Sequence, residues 1–122
     1  MTPIILLIAA LQGAFGAALA AAAAHANADP LLPVASNFLM LHGAAGLGLA
    51  ALARAGAPRA LPFAAVALQA GATLFAADLS ARVFLGGKLF PMAAPIGGSV
   101  AILSWLALAG VAALWLRRDA AT

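Results

Sequence analysis

Of 122 residues, 66% are hydrophobic and 7% charged, and the mean hydropathy is +1.13. Soluble chains carry about a quarter charged residues, so this composition excludes a soluble domain and places the chain in a membrane. Six Lys and Arg against three acidic residues stand singly or in pairs at the ends of apolar runs, which marks topology rather than a nucleic-acid patch; with no Cys, disulfides, thiolate metal sites and thiol nucleophiles are excluded.

The expected architecture is all-α. It is a polytopic membrane protein with four transmembrane helices in an antiparallel bundle, forming a single domain over residues 1–122. The first span covers about 3–26, an apolar run whose one strongly polar member is Gln12. Ala24-His25-Ala26 and Ala26-Asn27-Ala28 fit a signal-peptide cleavage pattern, but no Lys or Arg precedes the run, so the segment is expected to be retained. Asn27, Asp29, Pro30 and Pro33 form a polar turn, and the second span follows over about 34–53 with Asn37 and His42. Arg54, Gly56, Pro58 and Arg59 make a basic turn. Pro62 opens the third span, about 61–80, whose polar members are Gln69, Thr73 and Asp78.

Arg82 to Ala94 is too short and interrupted to span, and is apolar enough to lie at the headgroup level as an interfacial connector between helices 3 and 4. Pro95, Gly97 and Gly98 begin the fourth span, about 95–116. Arg54, Arg59, Arg117 and Arg118 then share a side with both termini, against Arg82 and Lys88 opposite. The positive-inside rule places both termini in the cytoplasm. Trp115 suits an interface anchor, whereas Trp105 lies deep and is expected to pack inside.

A rise of about 1.5 Å per residue brings Gln12 and Gln69 to similar depths, and His42, Thr73 and Ser104 near the bilayer centre. These five form a candidate midplane polar layer. Around helix 3, Gln69, Thr73 and Ser80 share a face, while Asp78 points nearly opposite and one turn before Arg82. Hydrogen bonding between helices accounts for such residues more economically than a polar path or ligand cradle. His42 is flanked on one side by Gly43, Ala44 and Ala45, so haem or chlorophyll ligation is a competing reading. A two-histidine haem would need His25, which lies roughly 12 Å away in depth. A packed, hydrogen-bonded His42 and no cofactor are therefore expected.

Asp78 and Arg82 form the candidate ion pair, acid on the N-terminal side. An interfacial salt bridge explains them better than a proton or cation site. His25, Asn27 and Asp29 are explained by turn formation without a metal. No nucleophile–base motif, phosphate loop or paired catalytic carboxylate is visible, so an enzyme is not expected. No sequence repeat supports an inverted-repeat transporter.

Several motifs carry a resemblance. Gly13-Ala14-Phe15-Gly16-Ala17 is similar to a helix 1 motif GAFGAH, with Ala18 where the histidine stands. His42 is followed by a small, apolar run. Phe75-Ala76-Ala77-Asp78-Leu79-Ser80 is similar to FSGSLY but keeps only the Phe and Leu. Pro95-Ile96-Gly97-Gly98 followed by Trp105 is the most specific match. Together these resemble the YgdD/YwdK-like family of small four-helix bacterial inner-membrane proteins, a domain of unknown function (DUF423). The resemblance covers nearly the full length and implies a location in the bacterial inner membrane. The missing helix 1 histidine and the altered helix 3 motif imply that a polar site shared by the family is modified or lost here, and they make Asp78 a local feature.

Helix-packing candidates are Gly13, Gly16, Gly43, Gly46, Pro95, Gly97, Gly98 and Trp105. With so much small, apolar helical surface, the function expected is a non-catalytic accessory or assembly subunit against a larger membrane complex. The alternative is a small oligomeric channel or transporter using the midplane layer. Expected partners are the lipid bilayer and other integral-membrane subunits or further copies of the chain, not nucleic acid.

Overall fold

The computed structural model describes residues 1–122 and contains four helices: α1 (Thr2–His25), α2 (Leu31–Arg54), α3 (Ala60–Phe84) and α4 (Ala93–Asp119). Their most apolar stretches have mean hydropathies from 1.4 to 2.2. At about 1.5 Å per residue, each is long enough to cross a hydrocarbon core of about 30 Å. The chain is an all-α, multi-pass membrane protein.

Prolines set the helix starts. Pro3, Pro33, Pro62 and Pro95 each occupy the second or third helical position. The first N–H groups of a helix have no intrahelical partner, so a residue without one costs nothing there. This corrects two sequence-based boundaries. Pro33 belongs to the first turn of α2 rather than to the preceding turn. The connector is shorter than Arg82 to Ala94, because α3 continues through Phe84 and α4 begins at Ala93.

The ends are equally specific. Gly56 (φ +91°) follows the C-cap of α2, and the Ala57 N–H reaches back to the Leu52 carbonyl at 3.2 Å, a helix-terminating loop that needs the left-handed conformation. Gly86 (φ +77°) takes the same place after α3. Met92, at φ +68°, is left-handed without being glycine, immediately before α4. That conformation is sterically costly, and the residues that follow it, Ala93 and Ala94, are buried.

Neighbouring helices run antiparallel. α1 lies along α2, α2 along α3 and α3 along α4; α1 and α3 touch over a short stretch, and α4 has close backbone contact with α3 alone. Side chains extend α4 toward α2, where Ala101 joins Ile5, Leu49, Leu61 and Leu68 in one core cluster. A second cluster, Ala35, Leu39, Ala76 and Leu79, fills the half of the α2–α3 interface away from the termini. Arg54, Arg59, Arg117 and Arg118 all fall at the end that carries the termini.

Small residues set the spacing. A Cβ on Gly71 would stand 2.7 Å from the Gly97 carbonyl oxygen, and one on Gly97 would stand 2.6 Å from the Phe75 nitrogen. α3 and α4 thus cross backbone to backbone, the packing that replaces a hydrophobic driving force in lipid. Gly43 similarly abuts the Ala9 carbonyl and the Gly13 nitrogen, and Gly16 abuts Ser36 and Met40. Gly13's own Cβ position is open, and Gly98 has only an ordinary contact with Phe75 at 3.6 Å, so these two do not set a crossing as expected.

The adjacent glycines therefore behave differently. Gly97→Ala should destabilise by about 2 kcal/mol through overpacking, while Gly98→Ala should be neutral or slightly stabilising, as read from reversible unfolding in mixed micelles. Equal effects would contradict the backbone crossing.

Candidate functional site

The five midplane residues separate into distinct arrangements. Gln12 of α1 and Gln69 of α3 meet, as their depths require. The Gln12 Nε2 donates to the Gln69 carbonyl and to the Thr73 Oγ1, both at 3.0 Å. The Gln69 Nε2 donates to the Ile5 carbonyl of α1 at 3.1 Å. Both glutamines are at most 3% exposed. Gly46 of α2 faces the Gln69 amide at a distance that leaves no room for a side chain. Three helices are thus joined at one point, and both Oε1 atoms there are buried without a partner.

His42 belongs to a second arrangement, joined to α4. Its Nδ1 lies 2.7 Å from the Phe38 carbonyl, and its Nε2 accepts the Trp105 indole N–H at 3.2 Å. A carbonyl only accepts, so Nδ1 carries the proton and the Nε2 lone pair is directed at Trp105. The indole and imidazole ring centroids are 6.1 Å apart. Phe38 covers the imidazole at 4.3 Å and also meets Phe75 at 4.4 Å. Trp105 is 43% exposed, not enclosed as expected, because α4 lies at the flank of the bundle. Ser104 is buried but donates to the Val100 carbonyl of its own helix at 2.8 Å, so it stands apart from the layer.

Asp78 and Arg82 do pair, and the pair does more than neutralise charge. The Arg82 Nη2 and Nε donate to the Asp78 Oδ2 at 2.6 and 3.0 Å, while the Asp78 Oδ1 accepts the Leu89 backbone N–H at 2.8 Å. The fully buried carboxylate therefore fixes the middle of the connector, residues 85–92, against the end of α3. That backbone contact spans eleven residues, and no spacing rule announces it. Ser36 was also overlooked: its hydroxyl donates across the α1–α2 interface to the Gly16 carbonyl at 2.7 Å. Gly71 was missed for the same reason. In both cases the signal was a small residue in an otherwise apolar helix. In the α1–α2 turn, at the same end of the bundle as the connector, the Asn27 Oδ1 accepts the Asp29 N–H and the Asp29 Oδ1 accepts the Leu31 N–H, both at 2.9 Å, a local turn pattern.

Beyond the Gln12–Thr73 contact α1 and α3 diverge, leaving a cavity of about 560 Å³ between them. Its walls carry Leu11, Phe15 and Phe84, with Leu39 of α2 behind; Gln12, Thr73 and Ser80 are its polar members.

A family model described as protein of unknown function (DUF423) matches residues 12–98. The chain belongs to the DUF423 family. The matched DUF423 segment contains both glutamines of the knot, though not its Ile5 carbonyl, with His42 and the Asp78–Arg82 pair, and ends at Gly98. Trp105 and most of α4 lie beyond it, so the match is narrower than the full-length resemblance suggested. Comparison with curated proteins and with solved structures finds no match.

The Asp78 contact yields a residue-level prediction. Asp78→Ala should raise amide hydrogen exchange at Leu89 about tenfold, whereas Asp78→Asn, which keeps Oδ1, should preserve most of the protection. Unchanged exchange in both variants would show that the connector is held by something else.

Proposed function

We propose that this DUF423 protein is a non-catalytic accessory or assembly subunit that packs against a larger integral-membrane complex, in the inner membrane of a bacterium and with both termini in the cytoplasm. The observation that carries the reading is the economy of the polar layer. Gln12, Ser36, Gln69, Ser80 and Ser104 all direct donors at backbone carbonyls, and His42 uses both ring nitrogens within the fold. The cross-helix bonds of Gln12, Ser36, Gln69 and His42 hold helices in register, Ser80 and Ser104 bond within their own helices, and few side-chain donors are left for coordinating a solute. The exposed apolar face of α4, which includes Ile102, Leu103 and Leu106, supplies the surface a partner helix would use. Arg54, Arg59, Arg117 and Arg118 at the terminal end support the orientation.

A small oligomeric channel is the second reading, favoured by the midplane depth of Gln12, Gln69 and Thr73. It requires the knot to open and its donors to turn toward a pathway.

Gentle extraction from the native membrane followed by native mass spectrometry separates the two. The accessory reading expects co-migration with a larger complex at fixed stoichiometry. A small homo-oligomer whose solute flux in liposomes is abolished by Gln69→Ala would replace it with the channel.

A further inference from the structure

At the end of the bundle opposite the termini, three helices stop together and α4 does not reach them. Leu31 of α2 and Phe84 of α3 are equally far in sequence from the Gly46–Gln69 contact, and His25 of α1 is about as far from Gln12, which bonds to Gln69 and Thr73. Gly97 of α4, however, lies against Gly71 and Phe75, so Ala93, where α4 begins, is level with about Ala77 of α3. That is roughly 10 Å short of Phe84. The connector crosses this depth by running back along the last turns of α3, and the Leu89 N–H on the Asp78 Oδ1 at 2.8 Å marks its course.

With the Gln12–Gln69 knot at mid-depth, Leu89 lies roughly 10 Å from the bilayer centre and Phe84 roughly 20 Å. The hydrocarbon half-thickness is about 15 Å, so the middle of the connector is non-helical backbone inside it. Backbone at that depth has to be covered by protein or by polar matter, and residues 84–92 are all exposed. Pro91 has no N–H to satisfy and Asp78 takes that of Leu89, but the N–H groups of Gly86, Gly87, Lys88, Phe90 and Met92 find no acceptor in the protein. Arg82 is committed to Asp78, which leaves Lys88 as the free cation. The same stretch exposes Leu85, Leu89, Phe90 and Met92, whereas the neighbouring turn, Ala26-Asn27-Ala28-Asp29-Pro30, carries no large apolar side chain. Water in the notch above α4 would satisfy the amides and the ammonium but strand the apolar side chains; lipid tails would do the reverse.

We propose that a phospholipid of the leaflet opposite the termini is drawn down into this notch, its phosphate on the Lys88 ammonium and the Gly86, Gly87 and Lys88 amides, its acyl chains against Leu89, Phe90 and Met92. The bilayer is then locally thinner on the α3–α4 flank. Recognition rests on the phosphodiester, an anion that an ammonium and backbone N–H groups both bind through charge-assisted hydrogen bonds.

Lys88 is the one lysine of the chain and there is no cysteine, so the two readouts of the test are single-site. In the full chain labelled with ¹⁵Nζ-lysine, in phosphatidylglycerol and phosphatidylcholine liposomes, ¹⁵N–³¹P dipolar recoupling should place Nζ within roughly 4 Å of phosphorus, the reach of a charge-assisted hydrogen bond to a phosphate oxygen. In the same liposomes, nitroxides on Leu89→Cys and, separately, Phe90→Cys should collide with dissolved oxygen several-fold more than a nitroxide on Ala28→Cys does, and with a water-soluble nickel chelate several-fold less. No dephasing of Nζ by ³¹P would overturn the proposal. So would chelate access at both connector sites equal to that at residue 28, which means a water-filled notch, or protection of both from oxygen and chelate alike, which means that a second copy of the chain covers them.

Discussion

Inside a bilayer a side-chain donor has no water to turn to, so it takes its acceptor from the protein itself. The three-helix knot at Gln12 and Gln69 is where this constraint is most concentrated. Gln12 reaches from α1 to the Gln69 carbonyl and Thr73, Gln69 reaches back to the Ile5 carbonyl, and the space for the Gln69 amide exists because position 46 on α2 is glycine. Once these groups are paired, the rotation and depth of α1, α2 and α3 are fixed relative to one another. The α1–α3 cavity is a consequence, because α1 and α3 are held together at mid-depth and free to diverge beyond it.

The flanking helix is held by different means. α4 meets α3 through the Gly71–Gly97 crossing and reaches α2 through the indole of Trp105 on His42. Close approach of two backbones supplies dispersion contacts along a line, and one directed hydrogen bond fixes the rotation about that line. At the far end the buried Asp78 carboxylate ties the connector to α3, so the left-handed start of α4 at Met92 is approached from an anchored segment.

Much of this was legible beforehand. Four apolar runs, each bounded by prolines, glycines or arginines, led to four helices, and depth arithmetic alone brought Gln12 to Gln69. The ion pair followed from a four-residue spacing. What depended on tertiary geometry was not legible. Ser104 sits at the expected depth but faces its own backbone, and Trp105 sits deep yet half-exposed because depth carries no information about which face of α4 meets the bundle. Gly13 and Gly16 look equivalent in the sequence, but only Gly16 places its missing side chain against a neighbour. The connector's anchor pairs a side chain with a backbone amide, and amides have no sequence signature.

The central claim is that the midplane glutamines are tied into a knot closed to water. Gln12 and Gln69 are the two glutamines of the chain, so glutamine-specific ¹⁵N labelling isolates them. The most direct measurement is solid-state NMR of their side-chain amides in liposomes transferred to D₂O. The account predicts that both NH₂ signals persist long after exposed amides have exchanged. Rapid loss of both would mean that water reaches the knot, contradicting a closed polar layer and giving weight to a path through the bundle.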